Sequence, residues 1–257
     1  MDYNFHTHTR RCSHASGTEE EYILRAIEGG IRFMGFSDHI PLRFPDGYET
    51  KSVRVPTDQA CDYFRDLQFL RKKYRDQIEI FIGFEMEYFP DYFDSMLNNA
   101  KNWGAEYLIL GQHYLRPEHP SARHTNLPSA EESELERYAD LLVAAMKTGV
   151  FTYVAHPDVF CFTGNTEFYQ NTMRKVACTS AKLGIPLEIN FYGIRDHRRY
   201  PYEAFWEIAG QEGSPVTFGF DSHTAKSAFD SESLPSAMAL VEKYNLNYIG
   251  KPSLVSL

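Results

Sequence analysis

The sequence predicts an α/β fold in which parallel strands close into a barrel, and three observations point to it. Seven short apolar runs, rich in β-branched and aromatic residues, alternate with longer amphipathic segments. The 257 residues are 43% hydrophobic and 15% aromatic, which is enough to bury a large core. Ionisable side chains follow the end of every apolar run. Strands that alternate with helices predict βα units and a parallel sheet.

The predicted strands are bounded by glycine or polar residues. In chain order they cover residues 3–5, 33–37, 78–84, 107–111, 152–156, 186–190 and 216–220. A last short run, residues 247–250, fits either an eighth strand or a terminal edge, and the sequence leaves both open.

Amphipathic segments between the strands predict helices. They cover residues 18–30, 56–74, 129–149, 166–184 and 200–213. Thr18 is the expected N-cap of the first helix, which ends at a Gly pair. Ser129 and Glu132 have the spacing of a capping box at the start of the third helix.

Composition excludes several classes of protein. The net charge is −9, and no long basic run occurs, so nucleic acid and anionic membranes are not expected as partners. The four cysteines are scattered without CxxC spacing, which disfavours disulfides and thiolate zinc sites. Residues after Met1 lack the pattern of a signal peptide, and no apolar run approaches the length of a membrane span. We expect a soluble, cytoplasmic protein.

Each predicted strand delivers potential ligands at its C-terminal end. In chain order these are His6 and His8, Asp38 and His39, Glu85 and Glu87, His113, His156 and Asp158, Glu188 and Asn190, and Asp221 and His223. His14 lies in the loop after the first pair. In a closed parallel barrel these ends meet at one face, where βα loops build active sites. Any one of these residues alone is explained by a cap or a buried histidine, but together they favour one site.

The residue types indicate the metal chemistry. Imidazole and carboxylate without thiolate suit Zn²⁺, Mn²⁺ or Fe²⁺. The candidate ligands are too many for one tetrahedral ion, so two or three divalent ions are expected, with Glu85 placed to bridge a pair. Two ions about 3.5–4 Å apart hold a hydroxide and clamp phosphate oxygens, which predicts hydrolysis of a phosphate ester.

For basic and histidine side chains outside these positions, the sequence gives weaker evidence of a functional role. Arg195, Arg198 and Arg199 follow the sixth strand, where one guanidinium could grip a phosphate, although exposed loop positions explain Arg198 and Arg199 equally well. His119 and His124 fall in a polar loop, where we expect solvated or rim positions.

Together these residues resemble the PHP (polymerase and histidinol phosphatase) family, in order and over nearly the whole chain. The matching motifs are His6-Thr7-His8, His14, Asp38-His39, Gly83-Phe84-Glu85, His113, His156 and Asp221-Ser222-His223. The resemblance implies a single domain over residues 1–257, built as a distorted (β/α)7 barrel with a trinuclear metal centre. It implies three ligand sets: His6, His8, Glu85 and Asp221; Glu85, His113 and His156; and His14, His39 and His223.

Residues 188–201 and the free-standing length resemble the histidinol-phosphate phosphatase branch of that family, in which the arginine matching Arg195 contacts phosphate. Two motifs depart from that branch: "LGQH" stands where it has GS-x-H, and "GFDSH" stands where "GSDAH" is commoner. Both departures leave the ligands intact and bear on the substrate.

The expected reaction is hydrolysis of L-histidinol phosphate to L-histidinol and phosphate in histidine biosynthesis. Arg195 and His197 are the expected substrate-binding residues, and Arg195 with the metals would stabilise developing charge. Asp38 or a metal-bound water would protonate the leaving alkoxide, and Glu85 completes the expected catalytic set. We expect a monomer or small homo-oligomer.

Three alternatives remain open. One is a PHP phosphoesterase acting on a nucleotide or sugar phosphate. Another is an amidohydrolase-type hydrolase, which would normally use a bridging lysine that the ends of strands three to five lack. The third is a metal-binding module without activity, against which the intact ligand set argues.

Overall fold

The computed structural model describes residues 1–50, 52–117 and 122–257, and these form one eight-stranded sheet with the strands in chain order. The strands are β1 (Tyr3–Asn4), β2 (Phe33–His39), β3 (Glu79–Met86), β4 (Leu108–Leu110), β5 (Phe151–Val154), β6 (Leu187–Asn190), β7 (Pro215–Gly219) and β8 (Asn247–Tyr248). Every neighbouring pair is parallel. The expected parallel α/β fold is confirmed.

The sheet closes through the residues that follow β1 and β7. Thr7 and Ser222 form a parallel bridge, in which the His8 N–H donates to the Ser222 carbonyl at 3.0 Å and the Ser222 N–H donates to the His6 carbonyl at 3.1 Å. The run left open by the sequence is a strand, since β8 pairs with the first residues of β7. One edge of β7 and the residues after it therefore pair with two segments, β8 at the start of β7 and residues 6–8 after its end. This shared edge distorts the barrel.

Helices follow most strands. They are α1 (Glu19–Glu28), α2 (Ala60–Tyr74), α3 (Phe93–Trp103), α4 (Glu132–Lys147), α5 (Thr166–Leu183), α6 (Phe191–Arg195), α7 (Glu203–Glu212) and α8 (Leu234–Lys243). Helices α3, α6 and α8 were not predicted from the sequence. In α3 only Met96 and Ala100 are buried, and three asparagines lower its helix propensity.

The two predicted caps had different outcomes. Thr18 caps α1 in a capping box with Glu21, as expected. The Ser129 prediction was wrong, because α4 begins at Glu132 after an N-cap residue, Glu131, that makes no side-chain cap. The backbone of Ser129 instead exchanges hydrogen bonds with residues 161–163, which holds it extended and delays the helix. A tertiary contact overrides the local signal here.

The barrel interior is divided into an apolar lower part and a polar upper part. Towards the start of the strands it is filled by Tyr3, Phe5, Tyr107, Ile109, Tyr153 and Ala155. A separate and larger apolar cluster lies between the sheet and the helices. Polar side chains are thereby left to the carboxyl ends of the strands. Within the described part of the chain, no helix has the length and apolarity needed to cross a bilayer.

Candidate metal centre

A cavity of about 190 Å³, called here the histidine cavity, opens at the carboxyl ends of the strands. Eight of the nine predicted metal ligands line it: His8, His14, His39, Glu85, His113, His156, Asp221 and His223. The ninth, His6, is fully buried and contacts the same carboxylates. The structure thus brings all nine residues together from six strand ends and one loop.

Glu85 is the centre of this arrangement. Its side chain is 1% exposed, and its oxygens lie 2.9–3.5 Å from ring nitrogens of five histidines: His6, His8, His39, His113 and His156. Three of these histidines face Oε2, and the other two, His113 and His156, face Oε1. A carboxylate with different ligands around each oxygen is placed to bridge two cations.

The first predicted ligand set lies around Oε2 of Glu85. The Oδ1 atom of Asp221 is 3.5 Å from Nε2 of His6 and 3.2 Å from Nε2 of His8. Atoms of His6, His8 and Asp221 lie within 4.8 Å of one another, a separation that one ion could span.

The second and third sets are also assembled. Oε1 of Glu85 lies 2.9 Å from Nε2 of His156 and 3.5 Å from Nε2 of His113. The third set, His14, His39 and His223, forms a group with His8 in which one ring nitrogen of each lies within 4.8 Å of the others. His8 therefore stands between the first and third sets.

The electrostatics show that the first set requires positive charge. Burial raises the pKa of Glu85, but the histidines His113, His39 and His6 outweigh it and hold that pKa well below its usual value. Burial lowers the pKa of His6, but the carboxylates of Glu188, Asp221 and Glu85 raise it to about 10. Either protons on imidazoles or divalent cations supply this charge.

Unpartnered buried atoms indicate that cations fit better than protons. Among the described residues, Nε2 of His6, Oε2 of Glu85 and Oδ1 of Asp221 are buried without a hydrogen bond. Buried polar atoms without partners are costly, and all three belong to the first ligand set. A divalent cation would satisfy them together, so these residues fit the metal that their chemistry implies.

The third set offers neutral imidazoles. Burial, with a smaller effect of His8, lowers the pKa of His223 to about 4 and that of His14 below its usual value. The pKa of His39 is lowered well below its usual value, mainly by burial. Neutral rings keep a lone pair for a metal, and three nitrogen ligands suit zinc.

Two buried carboxylates outside the ligand sets orient histidines through hydrogen bonds, and a third lies near His8. Glu188 Oε1 accepts from Nδ1 of His6 at 2.8 Å, and Glu87 Oε1 lies 3.0 Å from Nδ1 of His113. Such partners fix which nitrogen of the ring carries the proton and leave Nε2 free for a metal. The third carboxylate is Asp38, whose Oδ1 lies 3.5 Å from Nδ1 of His8.

Asp38, the expected proton donor, lies behind His8 and is fully buried. Its Oδ2 accepts hydrogen bonds from the N–H and the hydroxyl of Thr9, and its Oδ1 accepts from the N–H of His39. It is not among the residues that line the histidine cavity. This placement favours an orienting role for Asp38 over direct protonation of a leaving group.

Arg195, the expected phosphate ligand, points elsewhere. Its terminal nitrogens donate to the carbonyls of Phe220 and Asp221 at 2.8 and 2.7 Å, and it pairs with Asp230 at 3.1 Å. It lines a neighbouring cleft and not the histidine cavity. Asp221 has a left-handed backbone, with a φ of 48°, which is strained for a residue with a side chain. Arg195 thus holds the carbonyl of a strained candidate ligand.

Two arginines line the histidine cavity, namely Arg54, which is buried and pairs with Glu87 at 2.7 Å, and the more exposed Arg198. The Arg198 guanidinium lies 4.1 Å from the ring centre of Tyr192, and its Nη2 donates to the Tyr192 hydroxyl at 2.6 Å. The Tyr192 ring in turn stacks on His223 with centroids 5.0 Å apart. The expected substrate ligand His197 is exposed and is absent from this wall.

Sequence reasoning missed several residues of the wall. Tyr200 lies beside His156, and Tyr114 and His124 come from the loop between β4 and α4. His124, for which a solvated or rim position was expected, lies beside His113 with ring centroids 5.5 Å apart and the rings tilted by 54°. No spacing rule relates these residues to a strand end. His119 lies outside the described residues.

Replacing Glu188 by glutamine tests the orienting carboxylates. Oε1 accepts from His6, and Oε2 accepts from the His156 N–H and the Asn190 amide, so every neighbour is a donor. A glutamine side chain would place its NH₂ group, itself a donor, against one of these donors. Glu188→Gln is expected to weaken zinc binding about 10- to 100-fold in competition with a chromophoric chelator. Glu207→Gln, an exposed change on α7, serves as control; equal affinities for both variants would contradict this role.

Metal removal tests the need for positive charge. Zinc at about 1,000 times its dissociation constant adds about 4 kcal/mol to the free energy of unfolding. In a chain of this size that raises the Tm by about 8–16 °C over chelator-treated protein in calorimetry. Calcium, which prefers all-oxygen sites, is expected to have little effect. An unchanged Tm in excess zinc would contradict the assignment of the site.

Comparison with known proteins agrees with this geometry. The PHP domain family matches residues 4–191. Histidinol-phosphatase of Bacillus subtilis is 30% identical over 253 residues, covering 86% of this chain and 92% of that protein. A probable histidinol-phosphatase of Deinococcus radiodurans is 25% identical over 229 residues, covering 85% of each chain.

The fold has known counterparts as well. The crystal structure of histidinol phosphate phosphatase from Lactococcus lactis, complexed with zinc, L-histidinol and phosphate, has a TM-score of 0.73 at 18% identity. The match covers 99% of this chain and 97% of that chain, which supports the fold of the whole barrel. From the family match and the relative in Bacillus, we conclude that the chain belongs to the PHP domain family.

Proposed function

We propose that this chain is a metal-dependent phosphomonoesterase that hydrolyses L-histidinol phosphate to L-histidinol and phosphate in histidine biosynthesis. One observation carries the proposal: Glu85 lies between five imidazoles at the floor of a cavity that opens to solvent. The substrate assignment is supported by the relatives in Bacillus and Deinococcus, both named as histidinol-phosphatases.

Three ligand sets would hold the divalent ions, as the resemblance implies: His6, His8, Glu85 and Asp221; Glu85, His113 and His156; and His14, His39 and His223. Such ions, when bound, supply an activated water and neutralise charge on the phosphoryl oxygens. The protein contributes the fixed placement of these ligands through the carboxylates that orient them.

Arg198 is the proposed phosphate ligand of the chain itself. Its guanidinium lines the histidine cavity, and its side chain is 34% exposed, so it is accessible to a substrate. The contacts with Tyr192 hold it on the wall that also contains His223. A planar guanidinium can donate two parallel hydrogen bonds to phosphate oxygens.

His124 is a second proposed donor to the substrate in the same cavity. Its Nδ1 accepts a hydrogen bond from the Asn126 N–H at 3.1 Å, which assigns the ring proton to Nε2. Burial and the neighbouring His113 lower the pKa of His124 to about 3, so the ring is neutral at physiological pH. It can orient an acceptor of the substrate but cannot supply a proton as an acid.

The remaining expectations complete this proposal. Residues 1–257 would act as one phosphoesterase domain in the cytoplasm, as a monomer or small homo-oligomer, without a nucleic-acid partner.

Phosphate release tests the substrate. The zinc- or manganese-loaded protein is expected to release phosphate from L-histidinol phosphate with a kcat/KM at least about tenfold above that for nucleotide or sugar monophosphates. The measurement is a panel of initial rates with chelator-treated protein as the blank. A preference for another ester would change the assigned substrate but leave the assigned reaction, hydrolysis of a phosphate ester, in place. No phosphate release from any ester would contradict the phosphatase assignment.

Arg198→Ala tests the phosphate ligand. Loss of a charge-assisted hydrogen bond to phosphate is expected to raise the KM for L-histidinol phosphate about 10- to 150-fold, with zinc content unchanged. Arg75→Ala, an exposed arginine beyond the end of α2, is the matched control. The same KM for both variants would show that Arg198 does not contact the substrate.

A further inference from the structure

Asp158 is a buried carboxylate that belongs to none of the ligand sets. It is 3% exposed, and its Oδ2 accepts hydrogen bonds from the Tyr202 N–H at 2.6 Å and from the indole Nε1–H of Trp206 at 2.9 Å. Within the described residues no lysine or arginine lies at ion-pair distance from it. Burial of a carboxylate without a cation is costly, so a particular use for this group is expected.

The two donors to Asp158 lie at the start of α7, directly after the turn that carries the proposed phosphate ligand. Residues 196–199 of this turn are exposed, and Tyr200 is the buried residue that follows them. Tyr200 reaches the wall of the histidine cavity, with its ring centroid 6.0 Å from that of His156. A turn with few buried contacts of its own depends on neighbouring elements for its position.

The side chains of Asp158 and Arg199 fasten this turn to the loop after β5. Asp158 accepts from the Tyr202 backbone and the Trp206 side chain, and Arg199 donates to the carbonyl of Phe162 and to Sγ of Cys161. The same β5 loop begins with the candidate metal ligand His156. The carboxylate therefore sets the distance between a metal ligand on one loop and the substrate-facing side chains on the next.

We propose that Asp158 is a positioning residue for substrate binding: it fixes residues 197–202 so that Arg198 and Tyr200 face the metal ligands. The proposal rests on the proposed function, in which Arg198 binds the phosphate group. Asp158 itself does not touch the substrate and acts through this turn.

The geometry supplies a conservative variant. Both hydrogen bonds end on one oxygen, Oδ2, so the amide oxygen of asparagine can accept both. Asp158→Asn therefore keeps the turn in place, whereas Asp158→Ala releases it. Trp206→Phe removes one donor and keeps an aromatic ring in the core, so an intermediate effect is expected.

The experiment uses the full chain loaded with zinc. Asp158→Ala is expected to raise both the KM for L-histidinol phosphate and the inhibition constant of inorganic phosphate about tenfold, the effect of one misplaced charge-assisted hydrogen bond. The kcat should stay within about twofold and zinc content should not change, because the ligand sets are untouched. Asp158→Asn should restore both constants, and Asp140→Ala, an exposed change on α4, should alter neither.

A double-mutant cycle identifies the route of the effect. In an Arg198→Ala background, Asp158→Ala is expected to raise the KM by less than about twofold, because the side chain that it positions is already absent. Independent, multiplying effects would show that Asp158 does not act through Arg198 and would overturn the proposal. A lower kcat or zinc content at unchanged KM, or failure of Asp158→Asn to restore binding, would also overturn it.

Direct binding of inorganic phosphate, measured by calorimetry on the zinc-loaded protein, separates this proposal from the proposed function. If the wild-type chain hydrolyses none of the esters, the proposed function fails, yet weaker phosphate binding by Asp158→Ala still supports the positioning role. If Asp158→Ala does not fold, Trp206→Phe provides the same comparison, and unchanged phosphate binding by that folded variant would contradict the role of the turn.

Discussion

The carboxylate of Glu85 is the constraint on which the rest of the site depends. It is almost fully buried, and a lone ionised carboxylate at that depth would be strongly destabilising unless positive charge surrounds it. Five imidazoles surround it, and parts of the chain are shaped to leave it room. A Cβ at Gly111 would lie 1.8 Å from Oε1 of Glu85, so a larger residue there would displace the carboxylate. Strand pairing sets His39 beside Glu85 on β2 and β3.

A second layer of carboxylates extends this arrangement and links the strands that carry the ligands. Glu188 joins the ends of β1, β5 and β6 by accepting from His6, from the His156 backbone and from Asn190. It also needs space, because a Cβ at Gly219 would lie 1.7 Å from its Oε1. The barrel interior is thus filled in two ways. Apolar side chains, mostly aromatic rings, fill the lower part, and charged groups that require cations fill the upper part.

The candidate ligands lie together, as the sequence predicted, because parallel strands in a barrel all end at one face, whatever the details of their packing. The sequence indicated Arg195, and not Arg198, as the phosphate ligand. They are three residues apart, and only the end of α6 between them decides which one turns toward the cavity. Ser129 had the right local spacing for a cap, but pairing with a distant loop overrode it. Asp158 was noted only as a residue at a strand end, because its partners at the start of α7 are separated from it by more than forty positions.

The most direct test of the account is anomalous diffraction from crystals of the zinc-loaded protein, recorded at the zinc edge. We expect one peak within bonding distance of both Oε2 of Glu85 and Nε2 of His6, and a second between Oε1 of Glu85 and Nε2 of His156. Glu85 would then bridge two cations, at the zinc–oxygen distances of about 2.0–2.2 Å that carboxylates normally show. Ordered zinc elsewhere, with no peak beside Glu85, would contradict the shared-cation site.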